Sequence, residues 1–278
     1  MTTLSIIEIE HIIPMLKSPR TIRIYRPTEL SAEEALPVIY MHDGQNVFSG
    51  ETASFGKGWE VHHALHAVKL HAMIVAIDSP DDGMDRYDEY APWTDEALLM
   101  RTAYPSHRTT IGGNGKLYMD WIVHELKPHI DTHYATIPTD TTMIGSSMGG
   151  VISLYGLFAY PEIITRVAAL STAGWANFSS LLEFIERSPR LSEQHRCYMD
   201  VGTKEVSGPM TENDYLHTND VLAKAVQKKS TARPILSFQT PFTTKRNGPN
   251  GCRIFSVSCF RPKKQADRIP REDAVSLF

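Results

Sequence analysis

The stretch Gly145-Ser146-Ser147-Met148-Gly149 decides the fold, because it places the pattern Gly-x-Ser-x-Gly between a strand and a helix. A short apolar run, 141–144, precedes it, and a run with helical character, 151–160, follows it. A serine at such a junction sits on a sharp, strained turn with its hydroxyl exposed above a sheet, and the flanking glycines let the backbone pass. The stretch therefore predicts that Ser147 is a nucleophile and not merely part of a Gly-Ser connection.

Strand-like and helix-like segments alternate along the chain up to about residue 240. Apolar runs and alternating patterns predict strands over 4–13, 21–25, 37–41, 72–77, 141–144, 166–170, 196–201 and 234–238. Helical spacing predicts helices over 59–70, 117–130, 151–160, 179–187 and 214–228. This alternation is typical of the α/β class, with a mostly parallel sheet covered by helices on both faces.

Two segments do not follow the alternation. The polar stretch 81–115, rich in Asp, Gly, Pro and aromatic residues, is predicted to be a long functional or disordered loop. The last segment, 241–278, has no regular period and carries a basic run, 261–264. We therefore expect one domain over 1–240 and a poorly ordered tail over 241–278.

Composition excludes several classes of protein. The net charge of −4 and the absence of a basic patch disfavour a nucleic-acid partner, and the apolar runs are too short to span a membrane. The N-terminus lacks the features of a signal peptide, so a soluble, cytoplasmic protein is expected. Three cysteines without a Cys-x-x-Cys pair, and His62 and His66 without a ligand partner, predict neither a disulfide framework nor a metal site.

Five segments in a fixed order carry a resemblance to a known family. They are 40–48 (YMHDGQNVF), 86–93 (RYDEYAPW), 125–131 (ELKPHID), 145–150 (GSSMGG) and 200–205 (DVGTKE). The chain up to about residue 240 resembles the Putative esterase family of α/β-hydrolases, which includes esterase D, feruloyl, acetylxylan and siderophore esterases and the mycolyltransferase antigens. The resemblance implies one α/β-hydrolase domain that hydrolyses small-molecule carboxylic esters through an acyl-serine, without a cofactor.

The resemblance also implies which groups take part. Ser147 is the expected nucleophile, and the backbone amide of Met148, the next residue, is one expected donor of an oxyanion hole. The second donor is expected from the loop after the first central strand, at Gly44 or Gln45. Such donors each contribute about 3 kcal/mol to stabilising a tetrahedral intermediate.

The acid and the base are expected after the nucleophile, in that order. In the family the carboxylate lies at the position that matches Glu205, and Asp200 is the alternative. The histidine of the family is expected in a His-Asn/Ser-Glu loop beyond the acid, but no histidine follows His217 in this chain. His195 precedes the acid and His217 lies in a helical run, so neither is expected to be the base.

A shifted reading frame offers an explanation for the missing histidine. When the codons of 242–258 are read from their third bases, with those bases chosen freely, the peptide HNEKEWAERLPDFFRFL results. Its histidine would fall at position 242 or 243, and 242 − 205 gives an interval of 37 residues after the acid. We therefore hypothesise that one nucleotide was lost shortly before the codon of Phe242, in the gene or in its sequencing. For this chain we predict weak or absent esterase activity and poor stability.

Some expectations about the site stay open at this point. The aromatic side chains Tyr87, Tyr90 and Trp93 are predicted to line the substrate pocket, with local packing as the alternative. An acyltransferase, in which an alcohol replaces water, and a non-catalytic binding remnant are the competing functions. The sequence identifies neither the acyl group, nor the alcohol, nor the oligomeric state.

Overall fold

The structure is a computed structural model that describes residues 6–14, 16–101, 108–231 and 235–239. These residues form a mixed sheet with helices on both of its faces. The eight strands are β1 (Ile6–Ile13), β2 (Ser18–Tyr25), β3 (Leu36–His42), β4 (Met73–Ile77), β5 (Thr136–Ser146), β6 (Arg166–Leu170), β7 (Arg196–Gly202) and β8 (Ile235–Gln239). The predicted tail, 241–278, lies outside the described residues.

The helices lie between the strands in the sequence. They are α1 (Val61–Ala67), α2 (Gly83–Tyr90), α3 (Glu96–Arg101), α4 (Gly115–Trp121), α5 (Lys127–His133), α6 (Met148–Ala159), α7 (Phe178–Arg187) and α8 (Glu212–Lys229). A π-helical turn, Ile122–Leu126, joins α4 to α5 directly before Pro128. The proline has no amide to donate, and such a turn accommodates the missing bond without ending the helix.

The sheet has the order β1-β2-β4-β3-β5-β6-β7-β8. The first two strands are antiparallel to each other, β2 is antiparallel to β4, and all strands from β4 to β8 in this order run parallel. In a parallel sheet the carboxyl ends of the strands meet at one edge, where ligands usually bind. The ends of β3, β5, β6 and β7 lie at this edge and are consecutive in the sheet.

Alternate residues of the central strands face the two layers of helices. In β3, Val38 and Tyr40 belong to one buried cluster, and Ile39 and Met41 belong to the other. This alternation follows from the side-chain period of two in a strand. Because both faces of β3 are buried, the strand reads as a continuous apolar run, and the predicted α/β class is confirmed.

The stretch 81–115 departs from its prediction as a loop. It contains α2 and α3, and Asp82 caps α2 by accepting a hydrogen bond of 2.7 Å from the amide of Met84. The helix packs through Met84, Tyr87 and Tyr90, which are at most 9% exposed. Its other positions are Gly83 and four charged residues, and three apolar positions are too few to distinguish a helix from a loop. Across the described residues, no helix is both long and apolar enough to cross a membrane.

Candidate active site

Ser147 occupies the junction between β5 and α6 in a strained conformation. Its backbone has φ 59° and ψ −118°, which is unusual for a residue with a Cβ. The Ser147 amide donates to the carbonyl of Leu170 at 2.9 Å, and its carbonyl accepts from Gly150 at 3.0 Å and Ala173 at 3.1 Å. Three backbone hydrogen bonds therefore hold the turn, while the side chain is only half-buried.

The two glycines of the Gly-x-Ser-x-Gly pattern have different roles. A Cβ at Gly145 would lie 2.1 Å from the carbonyl oxygen of Gly149 and 2.2 Å from its carbonyl carbon. A Cβ at Gly149 would lie 3.4 Å from the Cβ of His42, which is an ordinary contact. The chain therefore crosses itself at Gly145, and only there does the turn require the absence of a side chain.

The loop after β3 lies beside this turn. Strands β3 and β5 pair in parallel with Met41 opposite Ile144, so their carboxyl ends are adjacent. Asp43 has φ 58°, and a short 3₁₀ turn follows over Gly44–Asn46. A Cβ at Gly44 would lie 2.7 Å from the Ala76 carbonyl carbon and from Asp78 Oδ1, so β4 supports this turn closely. Within the described part of the chain, the amides of Gly44 and Gln45 have no acceptor.

Helix α2 holds this loop in place through Asp43. The Arg86 guanidinium donates two hydrogen bonds to the Asp43 carboxylate, at 2.6 and 2.8 Å, and lies 4.8 Å from the centre of the Tyr90 ring. The Asp43 amide donates to the Tyr90 hydroxyl at 3.2 Å. Burial alone would lower the pKa of Arg86, but the Asp43 carboxylate raises it above its ordinary value. No local sequence pattern indicates a role for Asp43 or Arg86 in the site.

His42 lies under the same loop and is fully buried. Its Nδ1 is 2.9 Å from the hydroxyl of Tyr118, and its ring packs against Tyr90 with centroids 5.3 Å apart. Burial lowers the pKa of His42 to about 4, so the ring is neutral at neutral pH. These contacts put His42 in the support of the loop.

Both candidate acids bind the same serine. The Ser171 amide donates to Asp200 Oδ1 at 2.8 Å, and the Ser171 hydroxyl donates to Glu205 Oε1 at 2.6 Å. The other oxygen of Asp200 accepts from the Tyr198 hydroxyl at 3.2 Å. Since Ser147 follows β5 and the candidate acids lie at or after the carboxyl end of β7, Ser147 and both carboxylates share one edge of the sheet.

The three aromatic residues predicted to line a pocket differ in burial. Tyr87 is 9% exposed, Tyr90 is 0% exposed, and Trp93 is half-buried. Tyr90 contacts the loop after β3, as described above. Trp93 packs edge to face on Tyr155 and Phe184, each with centroids 5.6 Å away. Lining of a substrate pocket by these three residues stays a prediction.

Of the two histidines that bracket the acid in the sequence, His195 is separated from it by the length of β7. His195 precedes β7, at the opposite edge of the sheet from the acid, and its Nε2 is 2.8 Å from the Pro161 carbonyl. His217 is exposed on α8, with its ring 6.3 Å from that of Phe178. Positions 242 and 243, where the shifted frame would place a histidine, lie outside the described residues. In the described ranges no cluster of three or more His, Cys, Asp or Glu side chains is arranged to bind a metal ion.

Known proteins share this sequence pattern and this fold. The chain is 25% identical over 189 residues to Uncharacterized protein YbbA of Bacillus subtilis (strain 168), which covers 67% of this chain and 69% of that protein. The structure of this chain is similar to that of an IroE-like serine hydrolase from Shewanella oneidensis, with 19% identity and a TM-score of 0.67. The likeness covers 85% of this chain and 73% of the hydrolase. The structure is also similar to the siderophore hydrolase EstB from Aspergillus nidulans, with 16% identity, a TM-score of 0.61, and coverage of 87% and 89%.

The two structural likenesses show the α/β-hydrolase fold expected from the sequence, with its parallel sheet flanked by helices. The sequence also matches the Esterase family model, described as Putative esterase, over residues 13–243. That match covers most of the chain and includes the turn at Ser147, the loop at Gly44 and the acids at Asp200 and Glu205. The chain therefore belongs to the Putative esterase family.

Proposed function

We propose that this chain is built as a serine esterase that forms an acyl intermediate on Ser147. The observation that carries the proposal is the strained Ser147 turn, which lies at one edge of the sheet between the loop at Gly44 and the carboxylate of Glu205. Strain of this kind at a non-glycine residue persists only where the surrounding structure holds it, and it is concentrated at functional sites.

The loop and the helix start supply donors for an oxyanion. Met148 is the first residue of the 12-residue helix α6, so its amide lies at the positive end of the helix dipole. The Gly44 or Gln45 amide would be the second donor, and Arg86 and Tyr90 fix the loop that carries it. In the proposed reaction, Ser147 Oγ attacks the ester carbonyl, the alcohol leaves, and water then releases the acid from the acyl-enzyme.

The proton of Ser147 needs a base, and no histidine follows His217 in the sequence. Glu205 lies three residues after Gly202, and Gly202 is paired with Gln239 at the end of β8. A histidine at position 242 or 243 would follow β8 by a similar number of residues, which supports the shifted-frame hypothesis. The family match also ends at residue 243, where the shifted reading would begin to restore the family's pattern.

The consequence is a site that has a nucleophile and an acid but lacks an evident base. Without that base the Ser147 hydroxyl is a poor nucleophile, and loss of the base of a catalytic triad lowers kcat by roughly 10⁶-fold. We therefore expect slow hydrolysis of p-nitrophenyl acetate that depends on Ser147. A turnover comparable to that of intact family members would contradict the proposal that the base is missing.

The experiment compares the chain with Ser147→Ala and with Ser179→Ala, which removes an exposed hydroxyl on α7. Ser147→Ala should abolish the residual hydrolysis, and Ser179→Ala should leave it unchanged. Equal hydrolysis by all three proteins would show that Ser147 is not the nucleophile. Complete silence of the folded chain toward esters, combined with tight binding of an ester, would instead support the non-catalytic remnant.

The same experiment addresses the substrate class and the acyl acceptor. IroE-like serine hydrolase and siderophore hydrolase EstB are named among the structural neighbours, and a ferulic acid esterase is another. A panel of p-nitrophenyl acetate, ethyl ferulate and a siderophore ester therefore covers the substrates that these names suggest. Adding an alcohol to the assay separates a hydrolase from an acyltransferase, since only the latter forms a new ester faster than the free acid.

A further inference from the structure

We propose that Ser171 is a positioning residue that selects Glu205 over Asp200 as the acid of this site and holds the Glu205 carboxylate in place. This inference rests on the proposed function, because it names the residue through which that function's acid is oriented. Ser171 lies in the loop after β6. In the sheet, β6 lies between β5, which leads to Ser147, and β7, which leads to Glu205.

The backbone of Ser171 connects the nucleophile and the acids. Leu170, the residue before it, accepts the hydrogen bond from the Ser147 amide at 2.9 Å. The amide and the hydroxyl of Ser171 then donate to two different carboxylates, at 2.8 Å to Asp200 and 2.6 Å to Glu205. A shift of Ser171 would therefore disturb the serine turn and both carboxylates together.

The two carboxylates differ in how they are held. Each oxygen of Asp200 accepts one hydrogen bond, from the Ser171 amide and from the Tyr198 hydroxyl, and the residue is only 8% exposed. Asp200 is thus bound on both sides and anchors the Ser171 backbone. Glu205 is more exposed and lies beyond the strand, at the edge where Ser147 is located. This difference assigns the acid role to Glu205 and an anchoring role to Asp200.

Gly202 provides an independent indication that the position of Glu205 is specific. A Cβ at Gly202 would lie 2.9 Å from Glu205 Oε1 and 3.1 Å from its Cγ. The Glu205 side chain therefore folds back over the glycine and reaches Ser171 in that conformation. A side chain at position 202 would therefore press on the Glu205 side chain in this conformation.

The conformation of Ser171 shows why its hydroxyl matters. Its φ is 38°, in the region that favours glycine, and a serine there is strained. Glycine would relieve this strain and keep the amide that binds Asp200, but it would lose the bond to Glu205. A purely structural role would therefore be served better by glycine, and the serine hydroxyl accounts for the strain that the chain retains.

The test uses Ser171→Gly, which should fold because glycine suits this backbone. The matched control is Thr172→Val, since Thr172 is the next residue, is fully buried, and has a hydroxyl without a partner in the described structure. Crystal structures of the full chain and both variants give the first readout. We expect the Glu205 carboxylate to leave its place over Gly202 in Ser171→Gly and to stay there in Thr172→Val.

The second readout is catalytic and uses the chain in which 242–258 is replaced by HNEKEWAERLPDFFRFL. In that background Ser171→Gly should lower kcat about tenfold without changing KM, because one charge-assisted hydrogen bond is lost. Thr172→Val should change neither constant. A Glu205 carboxylate that stays in place in the Ser171→Gly crystal, or a kcat that stays unchanged, would overturn the proposal.

The two readouts separate this inference from the proposed function. If the chain with the replaced tail hydrolyses no ester, the proposed function fails, and the crystal comparison alone still decides whether Ser171 positions Glu205. If that chain is active and Ser171→Gly is not impaired, the proposed function stands and the role of Ser171 is refuted.

Discussion

Substitution of Gly145 by alanine should destabilise the protein strongly, although it adds only one methyl group. The new Cβ would lie 2.1 Å from the Gly149 oxygen, 2.2 Å from its carbonyl carbon and 2.8 Å from its Cα. Carbon atoms that are not bonded to each other normally stay about 3.5–4.0 Å apart, so the overlap exceeds 1 Å. All three atoms belong to the backbone and cannot rotate away. Overpacking typically costs about 1–3 kcal/mol, and this position should reach at least the upper end of that range.

Gly149→Ala is the matched control within the same motif. Its Cβ would lie 3.4 Å from the His42 Cβ and 3.5 Å from Asp43 Oδ2, so it meets ordinary contacts. Gly149 is also helical, and alanine is favoured over glycine in a helix by up to about 1 kcal/mol. We therefore expect Gly149→Ala to change the free energy of unfolding by less than about 1 kcal/mol in either direction.

Thermal unfolding followed by circular dichroism measures both effects. At about 2–4 °C per kcal/mol for a domain of this size, a loss of about 3 kcal/mol lowers Tm by roughly 6–12 °C. Gly145→Ala should therefore unfold well below the parent chain, and Gly149→Ala close to it. Equal Tm values for the two variants would refute the argument that the chain crosses itself at Gly145.

Three further predictions concern the support of the site and its gene. Arg86→Met should lower the free energy of unfolding by about 3 kcal/mol in urea titrations, because it leaves the Asp43 carboxylate, which is 4% exposed, without its partner. The control Arg187→Met breaks an ion pair of exposed side chains and should cost less than about 0.5 kcal/mol. Losses of similar size in the two variants would contradict this account. Because burial lowers the pKa of His42 to about 4, the unfolded state binds a proton below about pH 6.5 that the folded state does not. The contribution of His42 to the free energy of unfolding should therefore fall by up to about 3 kcal/mol as the pH drops from about 6.5 to 4. An NMR titration of the folded protein that gives His42 a pKa above about 6.5 would contradict that sign. The coding DNA across residues 238–245 should contain a frame that encodes the His-Asn-Glu loop, and its absence would remove the shifted-frame hypothesis.

The apolar segments around Ser147 were predictable from the sequence. The strand over 166–170 has the predicted bounds, and β5 and α6 flank Ser147 as the Gly-x-Ser-x-Gly pattern indicates. These elements are apolar runs, and an apolar run is a local signal. The strained φ of Ser147 follows from the same pattern.

Helix α2 was missed because its partners are distant in the sequence. Arg86 pairs with Asp43, 43 positions away, and Glu89 pairs with Arg20, 69 positions away. These charged side chains form ion pairs with distant partners, and the apolar face of the helix consists of only Met84, Tyr87 and Tyr90. A polar stretch of this kind has the composition of a loop, and only its tertiary contacts show that it is a helix.

The role of Ser171 was also outside the reach of sequence patterns. A Leu-Ser-Thr stretch after a strand is ordinary, and its significance depends on a φ of 38° and on a bond to a residue 34 positions away. The candidate acids, by contrast, stood in a segment that resembles the family. Residues that take part in the chemistry were therefore recognisable, and residues that position them were not.

The central claim is that Ser147 is the nucleophile of an esterase site that lacks its base. Mass spectrometry of the chain after reaction with a fluorophosphonate probe tests it most directly. We expect one adduct, on Ser147, that forms slowly. In the chain whose residues 242–258 are replaced by HNEKEWAERLPDFFRFL, labelling should be at least about a hundredfold faster, since a general base raises the reaction rate by about 10²–10⁴-fold. An adduct on another residue, no adduct on either chain, or equal rates for the two chains would contradict the claim.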